Sequence, residues 1–360
     1  MAEPLKNLFS KELINSLAKL IKQHYKKFNT NTFIDDVFDD TWNEKELKQR
    51  MRHITICMHK HISLPYPKQV EILSAAAPQF KGFIAMFFPD FIEVYGLNDL
   101  TTSIKALELF TQYSSSEFAV RPFIIKYPKQ MVKQHLKWAQ HKNHHVRRLA
   151  SEGIRPRLPW AMALPEFKKD PTPILPILEL LKNDESEYVR KSVANCLNDI
   201  SKDHPDVVLQ IVNIWKGNNK ETDWVVKHAS RGLLKQGNVL ALKSFGLNDQ
   251  VNAKVAKLEI FKNKLKIGDE FNFETTIELL DKTAHNIRVE YNIYFVKSNG
   301  KHSPKIFQIG TYKVKPKQFL ALKRKHKFSD LTTRKHYPGE HILAVVVNGK
   351  ELARQTFMLE

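Results

Sequence analysis

Near residue 250 the hydrophobic period of the chain changes from about 3.6 residues to 2, and that switch restricts it to a helical region followed by a sheet. Over residues 7–28, Leu8, Leu13, Leu17, Leu20, Ile21 and Tyr25 recur at three- and four-residue steps, with Ser10 placed as an N-cap. Further helices are expected around 44–60, 67–75, 80–95 and 102–113, separated by Pro, Gly, Asn or Ser. After the switch, Phe271, Phe273, Thr275, Ile277 and Leu279 alternate with Asn272, Glu274, Thr276 and Glu278, the pattern of a strand with one buried face. Val289, Tyr291, Ile293 and Phe295 share one side of a second strand, segments 307–314 and 319–328 are shorter, and 340–347 pairs with 351–359 across the hairpin signal Asn348-Gly349. About seven strands in about a hundred residues fit a small immunoglobulin-like sandwich, with a small barrel as the alternative.

The helical part repeats itself. Segment 143–150 (NHHVRRLA) aligns with 186–193 (SEYVRKSV) and 222–229 (TDWVVKHA), with Val146, Val189 and Val225 in register. These spacings lie within or close to those of HEAT-type helical pairs. Each unit is expected to continue with a helix carrying Ile154, Leu197 or Leu233, and such pairs stack into a curved array whose concave surface suits an extended partner. The expected fold is therefore mainly α: a HEAT-like solenoid over 1–250, then an all-β immunoglobulin-like sandwich over 251–360.

Charge narrows the partner. The formal net charge is +19, and it is not confined to a tail: residues 1–256 hold 37 Lys and Arg against 27 Asp and Glu, and residues 257–360 hold 20 against 11. Positive charge spread over folded domains attracts polyanions. The longest apolar runs, 83–88 and 342–347, fall far short of the ~18 residues of a spanning helix. The first residues lack an apolar signal core, so a cytosolic protein is expected. With Cys57 and Cys196 only, neither a disulfide framework nor a cysteine-rich metal site is available. The 15 histidines form no recognisable ligand pattern, and there is no phosphate-cradling, dinucleotide-binding, HExxH or GxSxG motif, so neither metal nor cofactor is expected.

The densest unusual segment, residues 151–160 (SEGIRPRLPW), puts Glu152, Arg155, Arg157, two prolines and Trp160 into ten positions. One reading is structural: Glu152 pairs with Arg155 or Arg157, and Trp160 is core. A second segment, 115–123, again joins a glutamate, Glu117, to an Arg-Pro step at Arg121, and Asp199 sits near the end of a helix in the next repeat. The functional reading is that three carboxylates on successive repeats converge on one otherwise basic surface.

The residues that raise this possibility, SSSEFAVRPF (114–123), HHVRRLASEGIRPRLPWA (144–161) and YVRKSVANCLNDISKDHPD (188–206), resemble the AlkC-type branch of the helical-repeat DNA alkylation-repair glycosylases. The similarity covers most of 1–250, and some members of that branch also end in an immunoglobulin-like domain. The resemblance implies excision of N-alkylated bases such as 3-methyladenine, and also 3-methylcytosine and 1-methyladenine, from double-stranded DNA. It implies that Glu117, Glu152 and Asp199 line the active site, with Glu152 foremost, and that Trp160 packs against the lesion nucleotide. Arg148 would hold a flanking phosphate, and Arg147, Arg121 and Arg157 would contact the backbone or fix the carboxylates. No lysine stands out as a Schiff-base nucleophile, so a monofunctional enzyme is expected, acting as a monomer. The basic sandwich, with residues 297–302, 313–317 and 323–327, is expected to grip the duplex opposite the helical domain. Two other readings stay open: a helical-repeat DNA-binding protein without base excision, and a protein-binding HEAT scaffold.

Overall fold

A computed structural model describes residues 4–247, 250–330 and 335–360. Helices run from the N-terminal region to Val239–Ser244, and strands follow from Ala253–Ile260. Contacts divide the chain into two compact units. One comprises Met1–Asp203 with Lys216–Ala229, and the other His204–Trp215 with Ser230–Glu360. The helices Pro205–Trp215, Arg231–Lys235 and Val239–Ser244 therefore belong with the strands, around Leu209, Leu233, Leu234, Ala241, Leu242 and Leu247. A boundary at 250 borders residues 248–249, which lie outside the described residues.

In the first unit, local signals set the helix starts. Ser10 accepts from the Leu13 N–H at 3.3 Å and starts Lys11–His24, whose Ile14, Leu17, Ala18 and Ile21 are buried. Gln49 accepts from the Glu46 N–H at 2.7 Å in the capping box that opens Leu47–His61. The three aligned segments become the helices His144–Glu152, Glu187–Ile200 and Lys220–Ala229, with Glu187–Ile200 packed against the other two. Val146, Val189 and Val225, the aligned positions, are completely buried. The expectation for the residues eight positions later is only partly met. Leu197 stays on the same helix as Val189, whereas Ile154 follows the end of His144–Glu152 and Leu233 lies on the separate helix Arg231–Lys235. Pro156 and Pro159 follow Ile154 closely, and proline cannot continue a helix.

The second unit holds eight strands among the described residues: β1 (Ala253–Ile260), β2 (Lys264–Leu265), β3 (Glu270–Leu279), β4 (His285–Val296), β5 (His302–Val314), β6 (Phe319–Lys327), β7 (Gly339–Val347) and β8 (Lys350–Leu359). They form a sandwich of two sheets, β1-β3-β6 and β2-β8-β7-β4-β5. Phe271 and Phe273 of one sheet pack with Tyr291, Ile293, Leu343 and Phe357 of the other. β3 buries the alternate residues that its sequence marks, whereas β4 buries both faces. Its second face carries a buried Arg288–Glu290 pair at 2.7 Å and a buried Asn292. On β6, Lys323 and Lys325 pair with Glu274 and Glu270 of β3, so part of that strand's charge is already compensated.

The turn between β7 and β8 shows why its residues matter. Val347 pairs with Lys350, and Asn348 and Gly349 take positive φ angles of 47° and 79°, as a two-residue hairpin of this type requires. A Cβ on Gly349 would lie 2.2 Å from the Cα of Gly237, so the turn is held against the loop before Val239–Ser244. Gly349→Ala is therefore expected to destabilise the second unit by about 1–3 kcal/mol through backbone strain and this clash. Chemical denaturation would register the change as a lower midpoint, whereas an unchanged midpoint would show that the close approach does not constrain folding.

Candidate active site

Helix His144–Glu152 ends where Gly153 comes too close to its neighbours for a side chain: an added Cβ would lie 2.8 Å from Val120 Cγ1 and 3.0 Å from His135 Cε1. The chain then runs as an irregular strap to Leu164, tied at both ends by one residue. Arg121, completely buried, donates from Nη1 to the Gly153 carbonyl at 3.0 Å and from Nε to the Met162 carbonyl at 2.6 Å. Burial pushes its pKa down to about 10, which leaves the guanidinium charged at neutral pH. Behind the strap, His135 is also completely buried. Burial lowers its pKa to about 4, so it is neutral, and its Nδ1 lies 3.0 Å from the Ala150 carbonyl.

The strap delivers Arg155 to a ladder of alternating charge, buried at Glu152, Arg155 and Asp199 and half-buried at Glu117 and Arg148. Glu117 is hydrogen-bonded by Arg148 Nη1 and by Ser115 Oγ, the latter at 2.6 Å. Arg148 Nη2 lies 3.5 Å from Glu152 Oε1, and the same oxygen accepts from Arg155 Nη1 at 2.6 Å. Ser192 Oγ donates to Glu152 Oε2 at 2.7 Å. Arg155 Nε reaches Asp199 Oδ2 at 2.8 Å, and Lys202 reaches Asp199 Oδ1 at 3.1 Å. Burial opposes the charge on both arginines, but their carboxylate neighbours outweigh it and raise both pKa values above the ordinary one. Three carboxylates are thus held in place by two guanidinium groups, with Lys202 at the rim.

Glu117, Arg148, Glu152 and Arg155 line a cleft of about 480 Å³, together with Phe118, Tyr188 and Trp160. Arg148 stacks over Tyr188, 4.8 Å from the ring centroid. Trp160 is not core: it is 63% exposed and has a φ of 65°, a left-handed conformation that costs a non-glycine residue of the order of 1–3 kcal/mol. Asp199 departs from the expectation of three carboxylates on one surface. It does not line the cleft but stands behind Arg155, 2% exposed.

Three of the arginines expected to contact DNA or fix the carboxylates have partners of their own within the protein. Arg121 is inaccessible to a phosphate and bonds carbonyls, not carboxylates. Arg147 bonds Asp184 at 2.6 and 3.0 Å, Glu185 at 3.0 Å and the carbonyls of His141 and Lys142, so it braces the turn between repeats. Arg157 is held by Asp203 at 2.6 and 3.1 Å, on the surface. Conversely, sequence reasoning gave Arg155 no functional role and missed Ser192, Tyr188 and Phe118. The three-residue step from Glu152 to Arg155 on a turn was the available signal, as was the place of Tyr188 and Ser192 within the aligned repeat. Among the described residues, no three His, Cys, Asp or Glu side chains gather to hold a metal, and no helix is long and apolar enough to cross a membrane.

Comparison with known proteins fits this geometry. Residues 111–233 match the family described as "DNA alkylation repair enzyme", and residues 254–360 match "Uncharacterised protein YhaZ, C-terminal Ig-like domain". The chain is 45% identical over 346 residues to the uncharacterized protein YhaZ of Bacillus subtilis, covering 96% of each. It also superposes on the alkylpurine DNA glycosylase AlkC of Pseudomonas fluorescens, solved bound to DNA containing an abasic-site analogue. There the TM-score is 0.93 and the identity 37%, over 99% of this chain and 100% of that one. The chain belongs to the AlkC family. Both parts of that family's architecture are present, the helical repeats carrying the carboxylate cleft and the immunoglobulin-like domain.

In this AlkC-family chain the neutral, buried His135 makes stability depend on pH. Its folded-state pKa of about 4 lies below the ordinary 6.5, so its contribution is fully present above about pH 6.5 and is lost as the pH falls toward 4. That difference corresponds to about 3 kcal/mol. His135→Leu is expected to be less stable than wild type at pH 7 but to lose less between pH 6.5 and 4 in urea melts. Parallel pH profiles would show that His135 is not the titrating group.

Proposed function

We propose that this chain is a monofunctional DNA glycosylase that removes cationic N-alkylated bases from duplex DNA, 3-methyladenine foremost, with 3-methylcytosine and 1-methyladenine as further substrates. The observation that carries this reading is the pair Glu117 and Glu152, fixed by Arg148, Arg155, Ser115 and Ser192 on the wall of a cleft that exposed Trp160 also lines. A purine alkylated at N3 is already a cation and departs as a neutral base, so no general acid is needed to protonate it. What the protein must stabilise is the positive charge that develops on the deoxyribose as the glycosidic bond breaks.

Carboxylates whose oxygens are already oriented by hydrogen bonds do this without reorganising at the moment of reaction. Glu152 takes the main electrostatic role and orients the attacking water, with Glu117 beside it. Asp199 acts through Arg155, which it holds against Glu152. Trp160 packs on the lesion nucleotide, and Arg148 spans the two glutamates, which leaves a flanking phosphate only its outer edge. No lysine lines the carboxylate cleft among the described residues, in keeping with hydrolysis without a Schiff base. The helical region supplies the chemistry, and the sandwich contacts the DNA backbone through its basic turns. The enzyme works as a monomer in the cytosol, on nucleoid DNA.

Glu152→Gln keeps the shape and one acceptor oxygen while removing the charge. It is expected to lower the single-turnover rate of 3-methyladenine release by at least about 100-fold, with DNA affinity unchanged or tighter. Wild-type excision by the variant would overturn the assignment of Glu152. DNA binding by the wild-type protein without release of any methylated base would favour a non-catalytic DNA-binding protein, and neither binding nor release would favour a protein scaffold.

A further inference from the structure

A second cleft, of about 470 Å³, adjoins the first within the helical unit, and Trp160 and Phe118 line both. Its volume falls in the ordinary range of small-ligand sites. Helix Leu47–His61 contributes Lys48, Arg52 and Ile56, which share one face at four-residue steps. Most of the cleft's charges are already paired. Lys45 bonds Asp39 at 2.8 Å, and Arg52 bonds Asp90 through two contacts of 2.8 Å and Glu93 at 2.8 Å. Lys48 differs: it is exposed, and among the described residues no carboxylate lies within ion-pair distance of it. Its ammonium donates to the Trp160 carbonyl and stands 4.9 Å from the Phe118 ring centroid. Ile56, Trp160 and Met162 present exposed apolar surface around it.

An ammonium with no carboxylate in ion-pair distance, though its charge reaches Glu93, beside an exposed rim of Trp160, Ile56 and Met162 has the chemistry that receives a nucleotide. The cation meets a phosphodiester, and the apolar rim meets a base or sugar. We propose that this cleft holds the nucleotide next to the lesion on the same strand, with its phosphodiester on Lys48 and its base or sugar against Trp160 and Ile56. The proposal rests on the glycosylase reading, because a DNA strand is the ligand. Sharing Trp160 gives the arrangement a consequence for the reaction: a nucleotide seated on one side of the indole steadies it for the lesion on the other. Lys48 then has two tasks, fixing the strained Trp160 backbone through its carbonyl and anchoring the adjacent phosphate.

The test uses the full chain, its Lys48→Gln and Lys48→Arg variants, and duplexes containing a neutral abasic-site analogue. Affinity is measured across a salt series. Loss of one phosphate contact is expected to reduce the slope of log Kd against log salt by about 0.9 in Lys48→Gln, with affinity weakened about threefold at low salt. Lys48→Arg should keep the wild-type slope. Replacing single phosphodiesters by uncharged methylphosphonates then locates the contact. One linkage within two nucleotides of the lesion should cost affinity in the wild type and nothing further in Lys48→Gln. An unchanged slope in Lys48→Gln, or a methylphosphonate cost equal in both proteins at every linkage, overturns the subsite and leaves Lys48 a brace for Trp160. Failure of the wild type to bind any duplex would overturn the glycosylase reading as well, so the two failures are distinguishable.

Discussion

The guanidinium of Arg155, inserted between Glu152 and Asp199, is the contact on which the rest of the site depends. A buried carboxylate without a partner is costly, and removing one member of a buried ion pair usually destabilises by about 3–5 kcal/mol. Here each acid of the ladder has a cation beside it, and each of its arginines lies between two acids: Arg148 between Glu117 and Glu152, Arg155 between Glu152 and Asp199. The arrangement lets the protein keep anions at the wall of a cleft in a strongly basic chain. With Lys202 beside Asp199, the three carboxylates of the ladder meet three cations, so a preference for a cation in the cleft rests on the oriented oxygens of Glu117 and Glu152 at its wall and not on a surplus of negative charge.

The ladder in turn requires the strap that carries Arg155. Gly153 lets the end of the helix pack directly against Val120 and His135, Pro156 and Pro159 prevent its continuation, and Arg121 fixes the two ends from within the core. This explains why a completely buried arginine with no carboxylate partner is retained: its hydrogen bonds go to backbone carbonyls that would otherwise lack donors. At the far end of the strap, Trp160 is held in a left-handed conformation with its indole exposed, and Lys48 reaches its carbonyl from another helix. An exposed, conformationally costly tryptophan beside two clefts suits a role toward a ligand better than one in packing.

Features governed by neighbouring residues were legible in the sequence. The change of period, the Ser10 cap, the alternation of β3 and the Asn348-Gly349 hairpin follow from local backbone and side-chain rules, and the structure contains each of them. The repeat was legible because Val146, Val189 and Val225 occupy equivalent buried positions. Arginine destinations were not. Arg121, Arg147, Arg148, Arg155 and Arg157 look alike in sequence, yet one bonds carbonyls in the core, one braces a turn, two form the ladder and one lies on the surface. Those fates are decided by partners far along the chain, such as Asp199, 44 positions from Arg155. The same limit applies to β4, whose polar face becomes buried, and to the last helices, which join the sandwich unit although their period is helical.

The central claim is that the carboxylate ladder selects positive charge at the site of bond cleavage. It is tested most directly by comparing affinities for two duplexes that differ in one residue, a neutral tetrahydrofuran abasic analogue and a cationic pyrrolidine analogue of the same size. The account predicts at least about tenfold tighter binding of the cationic duplex, about 1.4 kcal/mol, with most of that preference lost in Glu152→Gln. Equal affinity of the wild-type protein for the two duplexes would contradict it.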